Sequence, residues 1–143
     1  MTEEESKEER IAELNELGYA RQVYQNQYAL VNNSTQMVLQ EMRELSASQH
    51  TLENMELLNG KESLISTGAG IYIRAVPKDT GAVLVEVGGN YVVEKSVDDA
   101  KVFVSKQVEM KTAILNKLLK NKRELESALI DIEYKMDSSG LQV

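Results

Sequence analysis

Two heptad-patterned segments, residues 14–52 and 97–136, flank one stretch of Gly-punctuated, β-branched sequence. This arrangement constrains the chain more than any other feature. The first segment places Leu14, Leu17, Arg21, Tyr24, Tyr28, Val31, Thr35, Val38, Met42, Leu45, Gln49 and Leu52 at alternating spacings of three and four, and nine of the twelve are apolar. Such spacing draws a continuous seam along one side of a helix for a partner helix to cover. The second segment repeats it with Val97, Lys101, Val104, Val108, Lys111, Leu115, Leu118, Lys122, Leu125, Leu129, Ile132 and Met136, again nine apolar in twelve. Two matching seams in one chain can pair with each other. The pattern predicts an α+β chain: a long antiparallel coiled-coil hairpin with two short β-hairpins at the helix-connecting end.

The boundaries follow from local chemistry. Thr2 with Glu5 fits a capping box, and the acidic first turn suits the positive end of the helix dipole. The first helix then runs without proline to Asn59-Gly60, a dipeptide suited to a left-handed cap, and its length corresponds to a rod of roughly 75 Å. Gly18 weakens it by about 1 kcal/mol relative to Ala. After Gly60 the period changes to two. Strands are expected at Ser63–Ser66, Ile71–Val76, Ala82–Val87 and Tyr91–Glu94, with turns at Gly68-Ala69-Gly70, Pro77–Gly81 and Gly88-Gly89-Asn90. Ser96 caps the second helix, with Asp98 and Asp99 in its first turn, and that helix is expected to end at Ser138-Ser139-Gly140. The parts are thus 1–59, 60–95 and 96–140 of a single 1–143 domain, with both termini at the far end of the rod.

Short hairpins are marginal alone in water, and open strand edges invite pairing. Ile71, Ile73, Val83, Val85, Val87, Tyr91 and Val93 are therefore expected to carry subunit assembly, with other copies or relatives supplying the missing surface. The opposing view, a self-contained small core, suffers from too little buried area.

Composition narrows the function. The 143 residues include one Phe, no Trp and one Pro, and 27% are charged, which suits helices that are mostly bathed in water. A formal charge of −7 disfavours nucleic acid or an anionic membrane as the main partner; the local run Lys117, Lys120, Lys122 and Arg123 reads as a solvated helix face. Absence of cysteine removes disulfides, thiolate nucleophiles and thiolate metal sites. No apolar run approaches a membrane span and the N-terminus is acidic, so the chain reads as soluble and intracellular.

Beyond these patterns, Gly68-Ala69-Gly70-Ile71-Tyr72-Ile73-Arg74-Ala75, Lys78-Asp79-Thr80, the run Val83 to Ser96 with its Val93-Glu94-Lys95-Ser96 end, and Asp98-Asp99-Ala100 closely resemble the alpha-type subunits of the prefoldin family. The order helix, two hairpins, helix covers the whole chain, and four strands fit the alpha type, since beta-type subunits carry one hairpin. The resemblance implies an ATP-independent holdase of two alpha and four beta subunits joined by an oligomeric β-barrel. It further implies a cytoplasmic complex whose arm tips hold non-native polypeptide and deliver it to a group II chaperonin, with no cofactor.

The apolar positions nearest the expected tips are Ile11, Leu14 and Leu17 on the first helix and Leu125, Leu129, Ile130, Ile132 and Met136 on the second. In a closed pair they are seam; if the pair splays at its ends they present a stripe that rewards many client sequences, because apolar burial is non-directional. Neither glycine run has Walker spacing, so both are read as turns. His50, the single histidine, falls outside the seam and lacks the converging ligands that a metal site or a catalytic triad needs. The acidic pairs Asp98/Asp99 and Asp131/Glu133 read as solvated helix positions, and an enzyme is not expected. Two other roles compete with client holding: a coiled-coil spacer with tips closed to the last heptad, and an arm that recognises nucleic acid, which the acidic balance opposes.

Overall fold

The structure is a computed structural model that describes residues 2–138. In chain order it contains α1 (Glu3–Glu53), a 3-10 turn (Met55–Leu58), β1 (Ser63–Gly68), β2 (Ile71–Ala75), β3 (Ala82–Gly88), β4 (Tyr91–Ser96) and α2 (Val97–Ser138). The expected cap at Ser139-Gly140 lies outside the described residues. All 24 seam positions of the two heptad patterns are half-buried or buried, so the period of the apolar residues alone sets which side of each helix is covered. Contacts divide the chain into two compact units, Met1–Leu39 with Ala113–Val143 and Gln40–Thr112.

In the first unit α1 and α2 run antiparallel, with Thr35, Val38 and Ile132 as its buried residues. Thr35 keeps its hydroxyl satisfied by donating to the Val31 carbonyl at 2.8 Å, the usual refuge for a hydroxyl inside a helix. Further along, the Tyr28 hydroxyl donates to Glu126 Oε1 at 3.1 Å, and Lys122 Nζ lies 5.8 Å from the centre of the Tyr28 ring, within cation–π range. The seam thus uses a tyrosine body as an apolar knob while its polar tip reaches the partner helix. At the start of α1 the capping box is formed: Glu5 N donates to Thr2 Oγ1 at 3.4 Å and Thr2 N to a Glu5 carboxylate oxygen at 3.3 Å.

The second unit holds the other halves of the helices and all four strands. Its core is Leu52, Met55, Ala100 and Val104, with Leu45, Val83, Val85, Phe103 and Val108 packed around them. Ala100 is 1% exposed. Full burial of each larger member contributes on the order of 1.5–3 kcal/mol.

Instead of running to Asn59-Gly60, α1 stops at Glu53 and tightens into the 3-10 turn. Asn54 explains the change. Its side chain donates to the His50 carbonyl at 2.8 Å and its backbone N–H shifts to the Thr51 carbonyl, three residues back, at 3.1 Å. Local side-chain bonds of this kind compete with helix continuation. Gly60 does take a left-handed φ of +69°, so the expected reversal occurs one 3-10 turn later than the α-helix end.

The strands form two separate antiparallel ribbons, β1 with β2 and β3 with β4. Ile65 faces Ile73 in the first and Val85 faces Val93 in the second. Each closes through a two-residue turn with both central φ values positive, Ala69 (+52°) with Gly70 (+76°) and Gly89 (+57°) with Asn90 (+63°). That geometry matches the right-handed twist of the flanking strands. The register shift at Gly68 and again at Gly88 marks a bulge next to each turn. The glycine runs are therefore hairpin turns. Between the ribbons, the Val97 N–H donates to the Gly81 carbonyl at 3.2 Å, tying the connecting loop to the first residue of α2. The Ser96 hydroxyl accepts from the Asp99 N–H at 3.1 Å, the expected N-cap.

Candidate assembly surface and arm end

Strand alternation and the printed registers define what each ribbon presents. In the β3–β4 ribbon, Val83, Val85, Val93 and Lys95 share one face, since Val83 stands opposite Lys95 and Val85 opposite Val93. Val83 and Val85 pack into the helical core, and Lys95 Nζ lies 5.7 Å from the centre of the Phe103 ring. These two valines therefore serve the chain's own core. Val93 shares that face yet is exposed, as are Val87 and Tyr91 nearer the turn. On the opposite face Leu84 and Val92 are exposed as well.

The β1–β2 ribbon is more open still. Only its end residues Ser63 and Ala75 are half-buried; every other residue is exposed. Ile65, Ile71 and Ile73 lie on one face, while Leu64 and Tyr72 sit on the other beside Arg74, which pairs with Glu62 at 3.4 Å. Of the seven residues read from sequence as assembly contacts, Ile71, Ile73, Val87, Tyr91 and Val93 are exposed, and Leu64, Ile65, Tyr72, Leu84 and Val92 join them. Sequence reasoning missed Leu64, Tyr72, Leu84 and Val92 because alternation assigns one face to water, whereas here both faces carry apolar side chains. So much contiguous apolar surface with open strand edges is characteristic of an interface.

The arm end, formed by the start of α1 and the end of α2 in the first unit, separates the eight tip residues into two groups. Leu14, Leu17, Leu125, Leu129 and Met136 are half-buried, and Ile132 is buried at 6% exposure. The seam is thus closed at Ile132 rather than splayed there. Ile11 (55% exposed) and Ile130 (68%) point away from it, as does Tyr134 (72%), which sequence reading passed over because a tyrosine outside the seam gives no periodic signal. Further along the same unit lies an open groove of about 530 Å³ whose lining includes Tyr24, Leu30, Leu125 and Ala128.

Other sequence candidates find ordinary places. His50 is an exposed helix residue, and Lys122 is half-buried over Tyr28 while Lys117, Lys120 and Arg123 are exposed. Among the described residues no cluster of His, Cys, Asp or Glu is arranged to hold a metal ion, and no helix is long and apolar enough to cross a membrane.

This arrangement has counterparts. A chain of the filamentous PFD from Methanocaldococcus jannaschii, solved by cryo-electron microscopy, superposes with a TM-score of 0.56 over 87% of this chain and 95% of its own, at 22% identity. In sequence, the prefoldin subunit alpha of Pyrococcus horikoshii is 29% identical over 125 residues, 86% of this chain and 84% of that protein. The prefoldin subunit alpha of Thermofilum pendens is 40% identical over 86 residues, 54% of this chain and 67% of its own length. The family model described as prefoldin subunit matches residues 24–140, which take in both ribbons, all of the second seam and the first seam from Tyr24 onward, and with the shared fold it establishes that the chain belongs to the prefoldin family.

Proposed function

We propose that the chain is an alpha-type subunit of an ATP-independent holdase. Its β-ribbons complete a barrel with other prefoldin subunits, two alpha with four beta, and its arm end takes up non-native polypeptide for delivery to a group II chaperonin in the cytoplasm. One observation carries the reading: the chain builds both ribbons yet leaves Ile71, Ile73, Tyr72, Leu84, Tyr91 and Val92 open to water, a surface that needs partner subunits to be covered. Support for client contact comes from Ile11, Ile130 and Tyr134, exposed apolar side chains at the arm end, where non-directional burial at about 25 cal/mol per Å² suits unrelated clients. Neither role calls for a cofactor or a catalytic group.

The test is dilution of a chemically unfolded protein into the complex of this chain with its strand partners, without nucleotide. Suppressed aggregation is expected, with loss of suppression when residues 1–20 and 125–143 are removed and the oligomer persists. Burial of Ile132 favours a second reading, a spacer whose arms are closed and touch no client. Unchanged aggregation, together with no binding of a hydrophobic dye at the arm end, would select the spacer.

A further inference from the structure

Charge is distributed unevenly in the first unit. Residues 2–18 carry seven carboxylates against Lys7 and Arg10, and residues 124–138 carry five against Lys135. The arm end thus holds nine net negative charges, more than the seven of the whole chain, and the remainder is slightly positive. Helix stability does not account for this. Glu3, Glu4 and Glu5 favour the start of α1, but Asp137 stands in the last turn of α2, where an anion opposes the dipole. Among the described residues of this end, one ion pair forms, Lys135 with Asp131 at 3.0 Å; Glu13, Glu16, Glu133 and Asp137 take part in none. Ile130 and Tyr134 are exposed one turn apart on α2, and Glu133 stands one turn from Ile130 and Asp137 one turn from Tyr134.

We propose that this apolar face docks unfolded segments that are both apolar and rich in Lys or Arg, the carboxylates drawing in the cations while Ile130 and Tyr134 cover the apolar side chains. The proposal rests on the holdase reading and names its client class. Complementary charge raises encounter rates and rejects like-charged competitors, and it fades with salt.

The experiment uses the assembled complex and two fluorescein-labelled unstructured peptides of equal length and equal Leu and Phe content, one bearing Lys and the other Glu. At low salt the Lys peptide is expected to bind about tenfold tighter, a gap that narrows at high salt. Substituting Glu13→Gln, Glu16→Gln, Glu133→Gln and Asp137→Asn, with the oligomer intact, is expected to shrink the gap. Equal binding of both peptides, or a gap unchanged in the variant, overturns the charge selection and leaves client holding in place. Binding of neither peptide overturns client holding itself. Native lysozyme binding as tightly as the Lys peptide would also overturn the proposal, since a folded cation would then need no apolar face.

Discussion

Lys111 of α2 reaches across the seam to pair with Glu41 of α1, and both side chains are partly buried. The carboxylate oxygen it faces has no solvent access, so the ammonium is its compensation. A lone methionine at this position would leave the charge uncovered. Lys111→Met is expected to lower stability by about 1–2 kcal/mol, and adding Glu41→Leu to recover most of it. Urea unfolding of the two variants checks this; equal midpoints for both would show that the pair contributes nothing.

Ile130 and Ile132 are two residues apart and face opposite fates. Ile132→Ser is expected to cost about 2–4 kcal/mol, because it empties a buried seam site and leaves a hydroxyl there. Ile130→Ser should leave the melting temperature within about a degree or two and weaken client holding, since an exposed substitution touches no core. Thermal unfolding and an aggregation assay run in parallel separate the two effects. Client holding untouched by Ile130→Ser would remove that residue from the contact.

Charge placed on the open ribbons should prevent assembly without unfolding the helices. Ile73→Lys with Tyr91→Lys leaves Leu52, Met55, Ala100 and Val104 undisturbed, yet puts ammonium groups where partner strands would have to pack. Sedimentation velocity is expected to show the subunit alone, with helical circular dichroism retained. A persistent oligomer would move the interface elsewhere.

Ser96→Ala removes the acceptor of the Asp99 N–H at the start of α2. The expected loss is about 1 kcal/mol, visible as a lower denaturation midpoint at an unchanged slope.

Gly18 has open space where a Cβ would stand. Gly18→Ala should therefore stiffen α1 near the arm end by up to about 1 kcal/mol with no clash. Hydrogen exchange of residues 12–22 is expected to slow; exchange at the original rate would mean that this glycine does not govern fraying.

How much of this was readable in advance differs between elements. The seams were fully legible, because a 3.5-residue period survives any detail of packing and even the polar members Arg21, Lys101 and Lys122 keep their places in it. The end of α1 was not: Asn59-Gly60 looks like the stronger stop, and only the bond from Asn54 to His50 ends the α-helix earlier. In the ribbons, the strands could be read from β-branched runs, but not the division of labour among them. Val83 and Val85 are chemically indistinguishable from Val87 and Val93; what separates them is that only the first two pack on the core of Leu52, Met55, Ala100 and Val104. Likewise Ile130 and Ile132 read as one stripe until the helix phase puts one in the seam and the other in water.

The β1–β2 ribbon is scarcely packed on its own chain, with only Ser63 and Ala75 half-buried. If partner strands cover it as proposed, a lone copy differs from an assembled one chiefly in baring Ile65, Ile71 and Ile73, so limited proteolysis within this ribbon would then report the unassembled fraction.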